Sequence, residues 1–135
     1  MLSLDSANEQ LDFLTARINK GIECEFPTLN IYSQGGYMGG TLLVSLPLGN
    51  PAFLKAKDGK SWANEVPNTV AINEGMAGEF AIFNKDMQVV IWGSVGPINS
   101  GANLELTREG VSAAESHRIS KGMVVKLQKF YLSIK

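Results

Sequence analysis

The punctuation of this chain most constrains its fold. Short β-rich runs alternate with turn signals at intervals of roughly 8–12 residues, the spacing of an antiparallel sandwich or jelly roll. Residues 41–46 are an apolar run ended by Pro47, and Leu29 and Ile31 alternate with Asn30 and Tyr32 in a shorter one. Residues 52–57 read as a strand leading into Asp58-Gly59, a strong hairpin signal. Residues 78–83 and 87–92 flank a turn at Asn84-Lys85-Asp86 and make the clearest hairpin, with Trp92 read as a core residue. Further short strands are predicted around Val70 and Ile72 and over residues 103–106. Residues 123–134 are the longest strand candidate. Val125 and Leu127 keep one phase while Phe130, Leu132 and Ile134 keep the other, so the slip near Gln128-Lys129 predicts a bulge or a strand that bends between two sheets. Residues 108–118 are polar and compatible with a long loop or one helical turn. Nothing alternates these runs with helices, so a parallel α/β sheet is not expected.

One segment departs from the pattern. Ser6-Ala7-Asn8-Glu9 has capping-box form, Leu11, Leu14 and Ile18 recur at three- and four-residue spacing, and Gly21 supplies a stop. These predict a helix over residues 7–20. The expected fold class is therefore mainly β: an antiparallel β-sandwich or jelly roll with one N-terminal α-helix. A single domain is expected over residues 1–135, helical in 1–21 and β in 22–135. Composition agrees. With 14 Gly in 135 residues the chain is too rich in glycine for a helical bundle, and at 44% apolar and 19% charged it is too apolar for disorder.

Twelve basic against thirteen acidic residues leave a formal charge of −1, without the basic excess usual in nucleic-acid binders. The near-zero sum hides an acidic front (Asp5, Glu9, Asp12, Glu23, Glu25) and a basic tail (Arg118, Lys121, Lys126, Lys129, Lys135), which can pair within a chain, pair between neighbours or stay solvated. Cys24 is the single cysteine, so no internal disulfide framework exists and a reducing compartment suits the chain. It reads as a small, partly buried hydrophobe. No signal peptide and no membrane-spanning apolar stretch are visible, so a soluble protein is expected.

Residues 35–40 read G-G-Y-M-G-G and lead into a strand, whereas a phosphate loop needs G-x-G-x-x-G and a helix N-terminus. This stretch is expected to be a flexible loop with Tyr37 and Met38 at its tip, available for contacts. Gly59-Lys60-Ser61 lacks the earlier P-loop glycine, since Leu54 stands there. His117 is the only histidine and reads as a surface residue, so no metal site is expected. Ser94 lies in G-S-V-G, not G-x-S-x-G. Glu74 and Glu79 flank a turn with nothing that would raise the pKa of either for acid catalysis. Trp62, after the hairpin, is expected to be half exposed.

Four motifs occur in an order that covers nearly the whole chain: Leu29-Asn30-Ile31-Tyr32, Gly40-Thr41-Leu42-Leu43, Gly75-Met76-Ala77-Gly78-Glu79-Phe80 and Gly93-Ser94-Val95-Gly96. With an N-terminal helix before them and a strand-forming C-terminal segment after them, the arrangement resembles small structural proteins of tailed bacteriophages. The resemblance implies a jelly-roll-like virion component, most often a capsid decoration (cement) protein. Such a protein is made in the host cytoplasm, binds the major capsid protein, has no cofactor or catalytic residues, and assembles as a dimer or trimer. Glu79-Phe80-Ala81-Ile82 departs from the more aromatic and basic strand the resemblance leads one to expect. The candidate interface residues are Leu11, Leu14 and Ile18 on the helix, Tyr37 and Met38 on the Gly-rich stretch, and Trp62. The alternatives are a tail or neck protein and a carbohydrate-binding sandwich with Trp62 and Tyr37 as sugar platforms. No nucleic-acid or membrane partner is expected.

Overall fold

The structure is a computed structural model that describes residues 4–97, 99–106, 115–127 and 130–133. It is mainly β with an N-terminal helix, as the sequence predicts. Helix α1 spans Leu4–Ile18. It begins before Ser6, so Ser6 lies in the first turn rather than at the cap. Leu11 and Ile18 are fully buried and Leu14 is half-buried, while Phe13 lies on the opposite, exposed side. Gly21, at φ 121°, turns the chain away from the helix end.

The polar edge of α1 has a structural role that its spacing alone did not reveal. Asn8 and Asp12 on α1 and Asn19 just past its end accept main-chain hydrogen bonds from residues 52–59. Gly59 N–H donates to Asn8 Oδ1 at 2.9 Å, Ala56 N–H to Asp12 Oδ1 at 2.8 Å, and Ala52 N–H to Asn19 Oδ1 at 2.9 Å. Residues 52–57 are consequently not the regular strand expected of them. They form only isolated bridges, Phe53 with Ala63 and Lys57 with Lys60, because helix side chains satisfy donors that a neighbouring strand would otherwise take. Asp12→Ala is expected to cost about 1 kcal/mol by stranding the Ala56 N–H. Asp12→Asn keeps an acceptor and should lose less, as chemical denaturation of the two variants would show.

Among the described residues ten strands follow the helix: β1 Thr28–Ser33, β2 Leu42–Pro47, β3 Lys60–Trp62, β4 Thr69–Val70, β5 Gly75–Phe83, β6 Val89–Pro97, β7 Leu104–Leu106, β8 Arg118–Ile119, β9 Val124–Val125 and β10 Tyr131–Ser133. The main sheet has the order β2-β1-β5-β6-β7, with β8 paired to β5. Its pairs are antiparallel except β6 with β7, which run parallel, so the sheet is mixed rather than purely antiparallel. A polar loop carries the chain back from the end of β6 to the same end of its edge, which makes the parallel pairing possible.

Both predicted hairpin turns form. Asp58 and Gly59 both have positive φ, 54° and 77°, the signature of a two-residue I′ turn, and Lys57 and Lys60 exchange main-chain hydrogen bonds across it. The 84–88 turn is organised by the buried Asn84, whose Oδ1 accepts from Asp86 N–H and Gln88 N–H at 3.0 Å each. Residues 123–134, expected as the longest strand, instead hold two short ones among the described residues, β9 paired with β4 and β10 paired with β3. Residues 128–129, where the slip is expected, lie outside the described residues, as do 108–114 of the segment 108–118.

The main sheet has two chemically distinct faces, written in adjacent cross-strand rows. The row Leu46–Leu29–Ile82–Ile91 crosses β2, β1, β5 and β6 on the core side. Opposite it pack Ile18 from the helix, Phe53 and Ala63, and Val125 from β9, all in one buried cluster. The next row, Ser45–Asn30–Ala81–Trp92, lies on the outer face. Among the described residues no helix is long and apolar enough to cross a membrane.

Candidate functional site

The outer row begins as a polar network. Ser45 Oγ donates to Asn30 Oδ1 at 2.6 Å, and Asn30 Nδ2 donates to the Tyr32 hydroxyl at 3.2 Å. Across β5 and β6 the face becomes aromatic. The glycine-rich stretch, expected to be a flexible loop, contains a single helical turn, α2, over Gly36–Gly39. It is closed by Gly40 N–H donating to the Gly36 carbonyl at 2.7 Å. Gly35 and Gly36 both take positive φ, 107° and 63°, and the Glu79 carboxylate packs against Gly36 where a side chain would otherwise stand. That is why glycines are needed here.

The turn places Tyr37 edge-on to two rings, with centroids 6.4 Å from Phe83 and 6.3 Å from Trp92. Met38 stands at the tip, 85% exposed. Trp92 is 60% exposed, not a core residue. Cross-strand pairing explains it: Ile91 faces Ile82 and takes the interior, which puts Trp92 on the outer face opposite Ala81.

Trp62 belongs to a second aromatic group. It pairs across strands with Tyr131, ring centroids 4.9 Å apart, and Lys60 Nζ lies 4.7 Å from the Tyr131 ring centre in a cation–π contact. At 36% exposed, Trp62 is as open as the sequence suggests. Trp62 and Tyr37, the two rings that a sugar site would have used together, sit in separate clusters.

Between the groups runs a cleft of about 660 Å³, whose walls include Trp92 on β6 and Tyr131 on β10. Its lining also includes the apolar Phe80, Leu104 and Phe130 and the exposed Lys126. Glu105 also lines it, but its carboxylate is engaged by Asn99 N–H at 3.1 Å and Gly101 N–H at 2.9 Å. Nothing in the sequence marked this cleft, because its walls come from strands far apart in the chain.

The remaining candidates fall as follows. Leu11 and Ile18 are committed to the chain's own core, which leaves of the expected helical interface only the half-buried Leu14. Ser94 Oγ accepts from Asn103 N–H at 3.0 Å and bonds Asn103 Oδ1 at 3.1 Å, which ties β6 to the loop before β7. His117 is half-buried rather than a surface residue, its main-chain carbonyl accepting from Ala77 N–H. Glu74 is exposed, and Glu79 is turned toward Gly36. Cys24 is half-buried and free. Among the described residues the ion pair is Glu115 with Arg118, at 2.8 Å, and not one between the acidic front and the basic tail. The Arg118 guanidinium bonded to it holds the Glu115 carboxyl below the ordinary value. No group of three metal-ligating side chains forms among the described residues. Comparison of the chain with family models, curated proteins and solved structures finds no match.

Proposed function

We propose that the chain is a non-enzymatic structural protein of a tailed-phage virion, a capsid decoration protein that binds the major capsid protein. The observation that carries the reading is the exposed surface formed by Met38, Tyr37 and Trp92. Contiguous exposed apolar groups on an otherwise well-packed domain mark interaction sites, and methionine and aromatic side chains are enriched at protein interfaces. Ser45 and Asn30, half-buried in the same cross-strand row as Trp92, supply the polar groups that such interfaces carry beside their apolar centre. The order of the four sequence motifs adds the virion setting. A small module of this kind gains avidity by repeating its contact over a lattice of identical subunits, alone or as a symmetric dimer or trimer.

The test is the protein content of purified particles of the phage that carries the gene. A copy number comparable to that of the major capsid protein is the expected result. A copy number matching a single ring would transfer the protein to the tail or neck, and absence from the particles would overturn the reading.

A further inference from the structure

The cleft is bounded by two strand edges, and the direction of their main-chain groups can be worked out. In an antiparallel ladder the N–H and C=O of one residue point to the same side, and successive residues alternate. Ser94 N–H donates to Asn103 Oδ1 at 3.0 Å, away from β5. Two residues earlier, Trp92 has the same orientation, so its N–H and C=O also point away from β5. Strand β7 pairs with β6 only from Val95 to Pro97, and among the described residues no strand runs beside Trp92.

The opposite wall gives the same result. Ala63 N–H donates to the Phe130 carbonyl at 2.9 Å, so Phe130 faces β3. The next residue, Tyr131, turns its N–H and C=O away from β3. Both Trp92 and Tyr131 line the cleft. Among the described residues, two strand edges without a pairing strand therefore line one cleft.

We propose that this cleft is a strand-addition site that takes an extended segment of a partner protein. The segment pairs its main chain with Trp92 on one side and Tyr131 on the other. Its alternate side chains turn inward onto Phe80 and Phe130 and must be apolar, while the others point out past Lys126, where a carboxylate is favoured. An alternating main chain of donors and acceptors is the complement of two strand edges, whereas a sugar would leave most of those groups unmatched. The proposal deepens the assembly reading by naming how a neighbouring chain is held. Its test involves no virion, so the two can fail separately.

The probe is a synthetic seven-residue peptide alternating valine and glutamate, titrated into the full chain and followed by tryptophan fluorescence. The control peptide has the same side chains with all of its amides N-methylated. Saturable binding is expected, weakened at least about tenfold by methylation, which removes the main-chain donors and costs about 1.4 kcal/mol for that factor. Amide hydrogen exchange at Trp92 and Tyr131 should be fast in the free protein and slowed at least about tenfold in the complex. Several results would overturn the proposal. They are no saturable binding, equal binding of the two peptides, and protection of both amides already in the free monomer, as when the chain's own residues close the gap. Two more point to other occupants: protection that grows with protein concentration indicates a second copy, and binding confined to a glycan panel indicates a carbohydrate.

Discussion

Ile82→Ala is expected to lower the unfolding free energy by about 2–5 kcal/mol, the cost of removing a large buried side chain and leaving a cavity that its surroundings only partly fill. Ile82 is fully buried near the turn end of β5, between Leu29 on β1 and Ile91 on β6. Both neighbours are held in ladders, so the main chain cannot collapse inward to close the void. With a total stability of about 5–15 kcal/mol for a domain of ordinary size, the loss is a large share of the whole. A denaturant midpoint shifted strongly with an unchanged m-value would match the expectation. A loss under about 1 kcal/mol would mean that the core row Leu46–Leu29–Ile82–Ile91 is not the centre of the fold.

The second large effect comes from a pair of adjacent glycines with opposite surroundings. A Cβ on Gly40 would stand 2.5 Å from the Ser33 carbonyl oxygen and 2.8 Å from the Gly36 nitrogen, both main-chain atoms. Either β1 or α2 must move, and overpacking of this kind costs about 1–3 kcal/mol. The hydrogen bond that closes α2 and the bond from Thr41 N–H to Ser33 Oγ are the first to go. A Cβ on Gly39 meets nothing within 4 Å. Gly40→Ala should therefore destabilise the chain and, by displacing Tyr37 from Trp92, change the tryptophan emission. Gly39→Ala should stay within about 0.5 kcal/mol of the parent. Thermal melts of the two variants, with emission spectra, make the comparison.

Turn chemistry was the most legible part of this chain. Asp58-Gly59 and Asn84-Lys85-Asp86 are local signals, and local backbone preferences decided both turns. The helix was legible for the same reason, since Leu11, Leu14 and Ile18 repeat at helical spacing. Trp92 was not. In Val89-Val90-Ile91-Trp92 every residue is apolar, so alternation carries no phase, and the inward side is chosen by the partners Ile82 and Ala81. Residues 52–57 misled in another way. Their composition suits a strand, but two donors that a ladder would use, Ala52 N–H and Ala56 N–H, are taken by the side chains of Asn19 and Asp12. The cleft depends on where β6 and β10 stop pairing, and no local pattern records that.

The side-chain acceptors of α1 also bear on the order of events during synthesis. Their partners lie 33, 44 and 51 residues further along the chain. A 15-residue helix is marginal in water on its own. As the chain leaves the ribosome from its N-terminus, the segment of α1 emerges well before anything it can dock against. Its apolar face must wait, partly formed, until Gly59 has been made. Docking then fixes the helix and the 52–59 segment together, so neither is a folding unit without the other. The helix is thus made before the 52–59 segment but reaches its final place only together with it.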